Sequence, residues 1–411
     1  MKGFKQFMLL LVVLLLGSCS NDLVEPAIKS ADNTDATTRV DMQTALDRAE
    51  KMLAKIEGGK TRSRRVASIR YLSIDGKTRS AGSLDSLYYI INYADNGGFA
   101  VAGADTRLDG IYAISEEGHL EESDVEDNPG LQYFFDMLPD EECLDTGQFP
   151  GQMDSTIVIG PPVKFEDFDM STKKGPYIHK NVSQWAQGHP FNLLCPQENG
   201  AACPAGCVPV ATAIIMSYHE WPVRYNNVSY NWMNMKEATT FGEIVSSRIP
   251  DLLVALGSSN NYNTTYTIEG SGSHTEQYYG RTFMNMGYKK PDSFKDFENK
   301  GIKSLIDEKQ SPVLVRGALG DDGHAWVIDG YYNDYHIGNA FIGGSGGQGL
   351  MFHVIWGWRG SSNGYFKFGG SIVPKQNFNE SWDDPSYWSD SRLSNIQYTN
   401  MRFVGGFEPN K

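Results

Sequence analysis

Cys207 stands in Gly206-Cys207-Val208-Pro209, and the apolar run Val210-Ala211-Thr212-Ala213-Ile214-Ile215-Met216-Ser217-Tyr218-His219 follows. A glycine turn thus delivers a thiol to the first turn of a helix. Pro209 fits there, because the first helical residues have no partner for their N–H groups. Unpaired N–H groups and the positive end of the helix dipole both favour thiolate, the form that attacks carbonyls. A buried structural cysteine fits the same stretch equally well. A cysteine nucleophile needs a base, usually a histidine brought close by the fold. Of the eight histidines, His324 has the most telling setting. It follows Asp321-Asp322-Gly323 and opens Ala325-Trp326-Val327-Ile328-Asp329-Gly330, which reads as a buried strand. A histidine at the mouth of a strand is held rigidly yet can face a cleft. Further on, Trp356-Gly357-Trp358 can wall such a cleft or fill a core.

Four blocks, in order, resemble the streptopain family of papain-like cysteine peptidases. They are Trp185-Ala186-Gln187-Gly188-His189-Pro190-Phe191-Asn192, the Gly206–His219 block with Trp221-Pro222, Gly323-His324-Ala325-Trp326-Val327-Ile328-Asp329-Gly330, and Trp356-Gly357-Trp358 with Asn363-Gly364-Tyr365-Phe366. The resemblance implies that Cys207 is the nucleophile and His324 its general base and acid. It implies that Gln187 donates its amide to the oxyanion hole beside the Cys207 N–H, and that Trp356 covers the catalytic histidine. It also implies an apolar preference just before the cleaved residue. One departure concerns the orientation of His324. The family often has Asn directly before the first Trp of Trp-Gly-Trp, and here that residue is Ile355. Isoleucine cannot hold an imidazole, which leaves Asp329 or a backbone carbonyl for the task. The other departure is the glycine-rich Gly343–Gly349 stretch, which fits a solvated hairpin tip or a lid over the cleft.

These residues need a scaffold with two halves. Helical patterns follow Cys207, cover Phe241 to Leu256 and recur over Thr275 to Met286. Strand patterns dominate from Val313 onward. The expected fold is α+β: a two-lobed papain-like peptidase over 178–411, helical half first and antiparallel sheet half second, with the site between them. Residues 39–155 read as a separate small α+β unit. Asp41 caps an amphipathic helix running towards Ile56, and Ser86–Tyr93 returns through Asn96-Gly97-Gly98 as Phe99–Gly103. Leu131 to Leu138 is a short apolar helix candidate. This unit resembles the same family's propeptide, which implies an intramolecular inhibitor; a fused adhesion module is the alternative. Residues 156–177 are the expected processing linker, with Lys173 and Lys174 as candidate cutting sites.

The N-terminus reads as an address. Lys2 and Lys5 precede a short apolar core, and Leu16-Gly17-Ser18-Cys19 resembles the bacterial lipobox. That predicts a lipoprotein signal peptide over 1–18, lipid on Cys19, and a polar tether over 19–38 leading from the membrane of the cell envelope. No apolar run of the roughly 18 residues needed for a span occurs in the body of the chain. The net charge of −14 argues against a nucleic-acid partner. Of the five cysteines, Cys195 and Cys203 bracket a turn-rich loop, where a disulfide and two free thiols both fit an exported protein. The cysteine spacings do not suit zinc, so no metal and no cofactor are expected. The expected function is a secreted cysteine endopeptidase made as a zymogen, acting on extracellular proteins or peptides. The alternatives are a surface binding protein that keeps the fold without catalysis, and an acyl transferase or amidase using the same Cys–His pair.

Overall fold

The computed structural model describes residues 39–59, 64–73, 78–79, 86–108, 110–139, 168–319, 322–337, 349–360, 362–368 and 401–411. The expected signal peptide, Cys19, the expected tether, Cys143, most of the expected linker and residues 343–348 lie outside them.

The N-terminal unit opens with α1 (Met42–Ile56). Asp41 caps it by accepting a hydrogen bond from the Thr44 N–H at 3.0 Å. Its apolar positions, Ala45, Ala49, Met52, Leu53 and Ile56, recur every three or four residues and are buried. They pack on an antiparallel meander of β1 (Val66–Ser73), β2 (Ser86–Tyr93), β3 (Phe99–Gly103) and β4 (Ile111–Ser115). The β2–β3 hairpin turns at the predicted place: Asp95 and Asn96 adopt left-handed φ of 58°, and Gly98 reaches +101°. A short helix, α2 (Pro129–Asp136), begins two residues before the expected start. Asn128 accepts from the Gly130 and Leu131 N–H groups, and Pro129 needs no partner there.

In the second unit, helix α3 (Cys207–His219) is the central pillar, buried from Val208 to Ser217. The stretch expected as one helix over Phe241–Leu256 is two, Phe241–Ser246 and Ile249–Gly257. Arg248 turns left-handed between them at φ 72°, and Pro250 restarts the helix. The sheet half holds β5 (Phe168–Lys174), β6 (Val313–Leu319), β7 (Asp322–Ile337), β8 (Gly349–Ile355), β9 (Gly364–Phe366) and β10 (Arg402–Val404). The strand order is β10-β6-β7-β8-β9-β4-β3-β2-β1, antiparallel throughout. The two units therefore share one sheet, joined where β9 pairs β4 with Tyr365 opposite Ile114.

Alternation along β7 sends its side chains to two cores. Ala325 and Val327 join Leu314 and Ile355 in the core around α3. Trp326 and Ile328 join Leu131, Tyr133 and Phe134 of the N-terminal unit on the other face. The linker's end departs from the expected irregular loop. β5 pairs β7 with Tyr331 opposite Lys174 and Tyr332 opposite Lys173. The Lys173 ammonium meets Glu116 at 3.2 Å, so this candidate cutting site lies in a paired strand.

Candidate active site

Two loops and a strand assemble the site. Gly206 enters α3 at φ +91°, and a Cβ there would meet the Ser271 carbonyl at 3.2 Å. Only a residue without a side chain takes that backbone comfortably. Cys207 follows, half-buried, at the helix start. Burial pushes the thiol pKa up, outweighing the nearby backbone N–H groups of Ala325, Val208 and Cys207 itself, which favour the thiolate. The N–H groups foreseen for a thiolate lie nearby, yet burial favours the protonated thiol.

His324 lies opposite Gly317 in the β6–β7 hairpin and is only 5% exposed. Its Nε2 sits 3.0 Å from the Trp356 carbonyl. A carbonyl only accepts, so Nε2 carries the proton and Nδ1 is left as the basic nitrogen. This answers the question raised by Ile355: a backbone carbonyl orients the ring. Asp329 is committed elsewhere, to His353 Nδ1 at 2.5 Å and to the Ile178 N–H at 2.8 Å. The Trp356 segment is itself pinned. Its N–H donates to Asn363 Oδ1 at 3.1 Å, and the Asn363 amide donates to the Ser183 carbonyl at 3.0 Å. Asn363 was visible in the sequence only as part of a motif; its distance along the chain from Ser183 hid this role.

The rings against His324 are Trp326, stacked at 6.2 Å, and Trp358, edge-on at 5.8 Å. Trp356 meets it through the carbonyl. From above, α2 presses down: a Cβ on Gly130 would stand 2.6 Å from His324 Cδ2 and 2.7 Å from Trp356 Cε3. Burial among these rings and this helix lowers the His324 pKa to about 4, with the Trp356 carbonyl pulling the other way. Cys207 and His324 line one cleft of about 660 Å³, but no hydrogen bond joins them. Burial favours the neutral form of each. Gln187 is anchored to the loop before Cys207, its carbonyl accepting from the Ala205 N–H at 2.8 Å. Cys195 and Cys203 are buried free thiols, and burial pushes Cys195 up to about 11. No cluster of three metal-ligating side chains and no helix long and apolar enough to cross a membrane occur among the described residues.

Comparison with known proteins fits this arrangement. Residues 185–366 match the model of the Peptidase C10 family, and residues 37–141 match that of the Spi protease inhibitor. Streptopain of Streptococcus pyogenes is 26% identical over 71% of this chain and 76% of its own length. The thiol protease/hemagglutinin PrtT of Porphyromonas gingivalis is 26% identical over 73% of this chain, which spans 36% of PrtT. A prointerpain A fragment from Prevotella intermedia superposes with a TM-score of 0.50 at 19% identity, covering 84% of this chain and 98% of that one.

Proposed function

Because the chain belongs to the peptidase C10, or streptopain, family, and is a cysteine-type peptidase with an inhibitor domain as its propeptide, we propose that it is an exported endopeptidase zymogen acting through Cys207 and His324. The observation that carries this is the Trp356 carbonyl on His324 Nε2, which leaves Nδ1 free to take a proton from a thiol in the same cleft. Once α2 is gone, water reaches the ring and the depressed histidine pKa relaxes upward. The thiol proton then passes to Nδ1, and the thiolate sulfur attacks the scissile carbonyl carbon. The oxyanion is met by the Cys207 N–H and the Gln187 amide, a donor worth roughly 3–4 kcal/mol of barrier in comparable sites. The imidazolium returns its proton to the leaving amine as the C–N bond breaks. Water, deprotonated by the same ring, then cleaves the thioester and frees the acid.

With the propeptide in place proton transfer is disfavoured, because Gly130 packs against one edge of the His324 ring and burial favours its neutral form. Export and lipidation at Cys19 rest on the signal motif. The test is hydrolysis of unfolded protein by the processed enzyme. Wild type releases peptides, and Cys207→Ala and His324→Gln, folded alike, release none. Undiminished hydrolysis by either variant would remove the pair from the mechanism.

A further inference from the structure

The cleft wall carries a charge that the chemistry above does not use. Arg316 lies on β6 directly opposite Ala325, the residue next to His324. Its guanidinium lines the cleft together with Glu276, at the start of the helix Thr275–Asn285. Glu276 uses both oxygens: Oε1 accepts from Arg316 Nε at 2.6 Å, and Oε2 accepts from Arg402 Nη1. Arg402 is further held by the Phe294 carbonyl at 2.8 Å and lies 3.3 Å from Asp296, outside the cleft lining.

Arg316 differs from Arg402. Only its Nε is engaged, and its two terminal nitrogens make no hydrogen bond among the described residues. The side chain is 29% exposed, enough to reach a ligand and buried enough to feel weak screening. Two guanidiniums bridged by one carboxylate leave a positive charge, and Asp296 offsets it at Arg402 rather than at Arg316. All four groups belong to the peptidase domain, so they remain when the propeptide is lost.

We propose that Arg316 forms an anionic-side-chain subsite, so that the mature enzyme prefers substrates with Glu or Asp within three residues of the scissile bond. A planar guanidinium with paired terminal donors suits a carboxylate, and Nε anchored on Glu276 holds the fork in place. The inference rests on the peptidase function proposed above and specifies its substrate class. It adds a charged determinant that the apolar preference implied by family resemblance does not contain.

The experiment compares the processed enzyme on peptides that carry Glu, Gln, Lys or Leu at each position flanking the cut. Arg316→Gln and Arg316→Glu run beside wild type, and stoichiometric alkylation of Cys207 counts active sites. Wild type is expected to favour Glu over the isosteric Gln by about ten-fold or more in kcat/KM at one position. Arg316→Gln should reduce that ratio to about two-fold or less while still cleaving Leu peptides, and Arg316→Glu should reverse it towards Lys. High salt should shrink the wild-type ratio, which provides a second readout should either variant fail to fold. Cleavage of Leu peptides with Glu and Gln equivalent everywhere would overturn the subsite and leave the peptidase function standing. Alkylation of Cys207 with no peptide cleaved would overturn both.

Discussion

Gly130→Ala should speed activation of the zymogen. The added methyl would stand 2.6 Å from His324 Cδ2, 2.7 Å from Trp356 Cε3 and 2.9 Å from Trp356 Cζ3. These are ring atoms of buried side chains held by hydrogen bonds, so neither yields easily. Overpacking of this kind costs about 1–3 kcal/mol. Alanine returns up to about 1 kcal/mol through its better helix propensity. From the middle of that range, about 2 kcal/mol, the net loss of about 1–2 kcal/mol falls on the contact between α2 and the site. It should raise the population of the uncovered state by about 5- to 30-fold. Activation limited by uncovering accelerates by the same factor. The assay is the rate of conversion of the full-length chain at fixed reductant, followed by intact mass, with Cys207 alkylation as an independent measure of exposure. Gln132→Ala, on the same helix but away from His324, is the control. Equal or slower conversion of Gly130→Ala, with the helix still folded, would refute the idea that α2 restrains His324 by contact.

Two further outcomes follow from the same geometry. Asn363→Ala strips the Trp356 N–H and the Ser183 carbonyl of their partner, costing about 1–3 kcal/mol in stability. Its kcat should fall about ten-fold with KM little changed, because the carbonyl that fixes the His324 tautomer is loosened; melting and steady-state kinetics check both. The depressed His324 pKa has a defined sign. The unfolded ring titrates near 6.5 and the buried one near 4, so the unfolded chain binds the extra proton between these values. Stability is fully present above about pH 6.5 and is lost as pH falls towards 4, by about 3 kcal/mol in total. Thermal melts of Cys207→Ala should show this slope, and adding His324→Gln should flatten it. The difference removes the parallel contribution of His219, also held near 4 by burial.

Much of the site was legible because its signals are local. Gly206 before Cys207 announced a turn into a helix, and the apolar run after it could only be a buried helix. Gly323-His324 ahead of an apolar stretch announced a strand with a histidine at its mouth. The misses are long-range. Which core His324 faces depends on the phase of β7, and Trp326 rather than Ala325 shares its side. The partner of its Nε2 is a carbonyl, which no side-chain motif encodes. Phe168–Lys174 reads as a charged linker because its strand partner, β7, lies far along the chain. The helix Asn299–Lys309 was within reach, since Ile302, Leu305 and Ile306 recur at helical spacing. The break at Arg248 was not, because a left-handed arginine is set by packing of the two helices it joins.

The most direct test is the intact mass of the chain from Ser20 onward, incubated with reductant beside its Cys207→Ala twin. A self-activating cysteine peptidase predicts that wild type loses its N-terminal inhibitor domain while the twin stays whole and is cut only when active wild type is added. Identical processing of both chains in isolation would contradict it, because the cut would then owe nothing to Cys207.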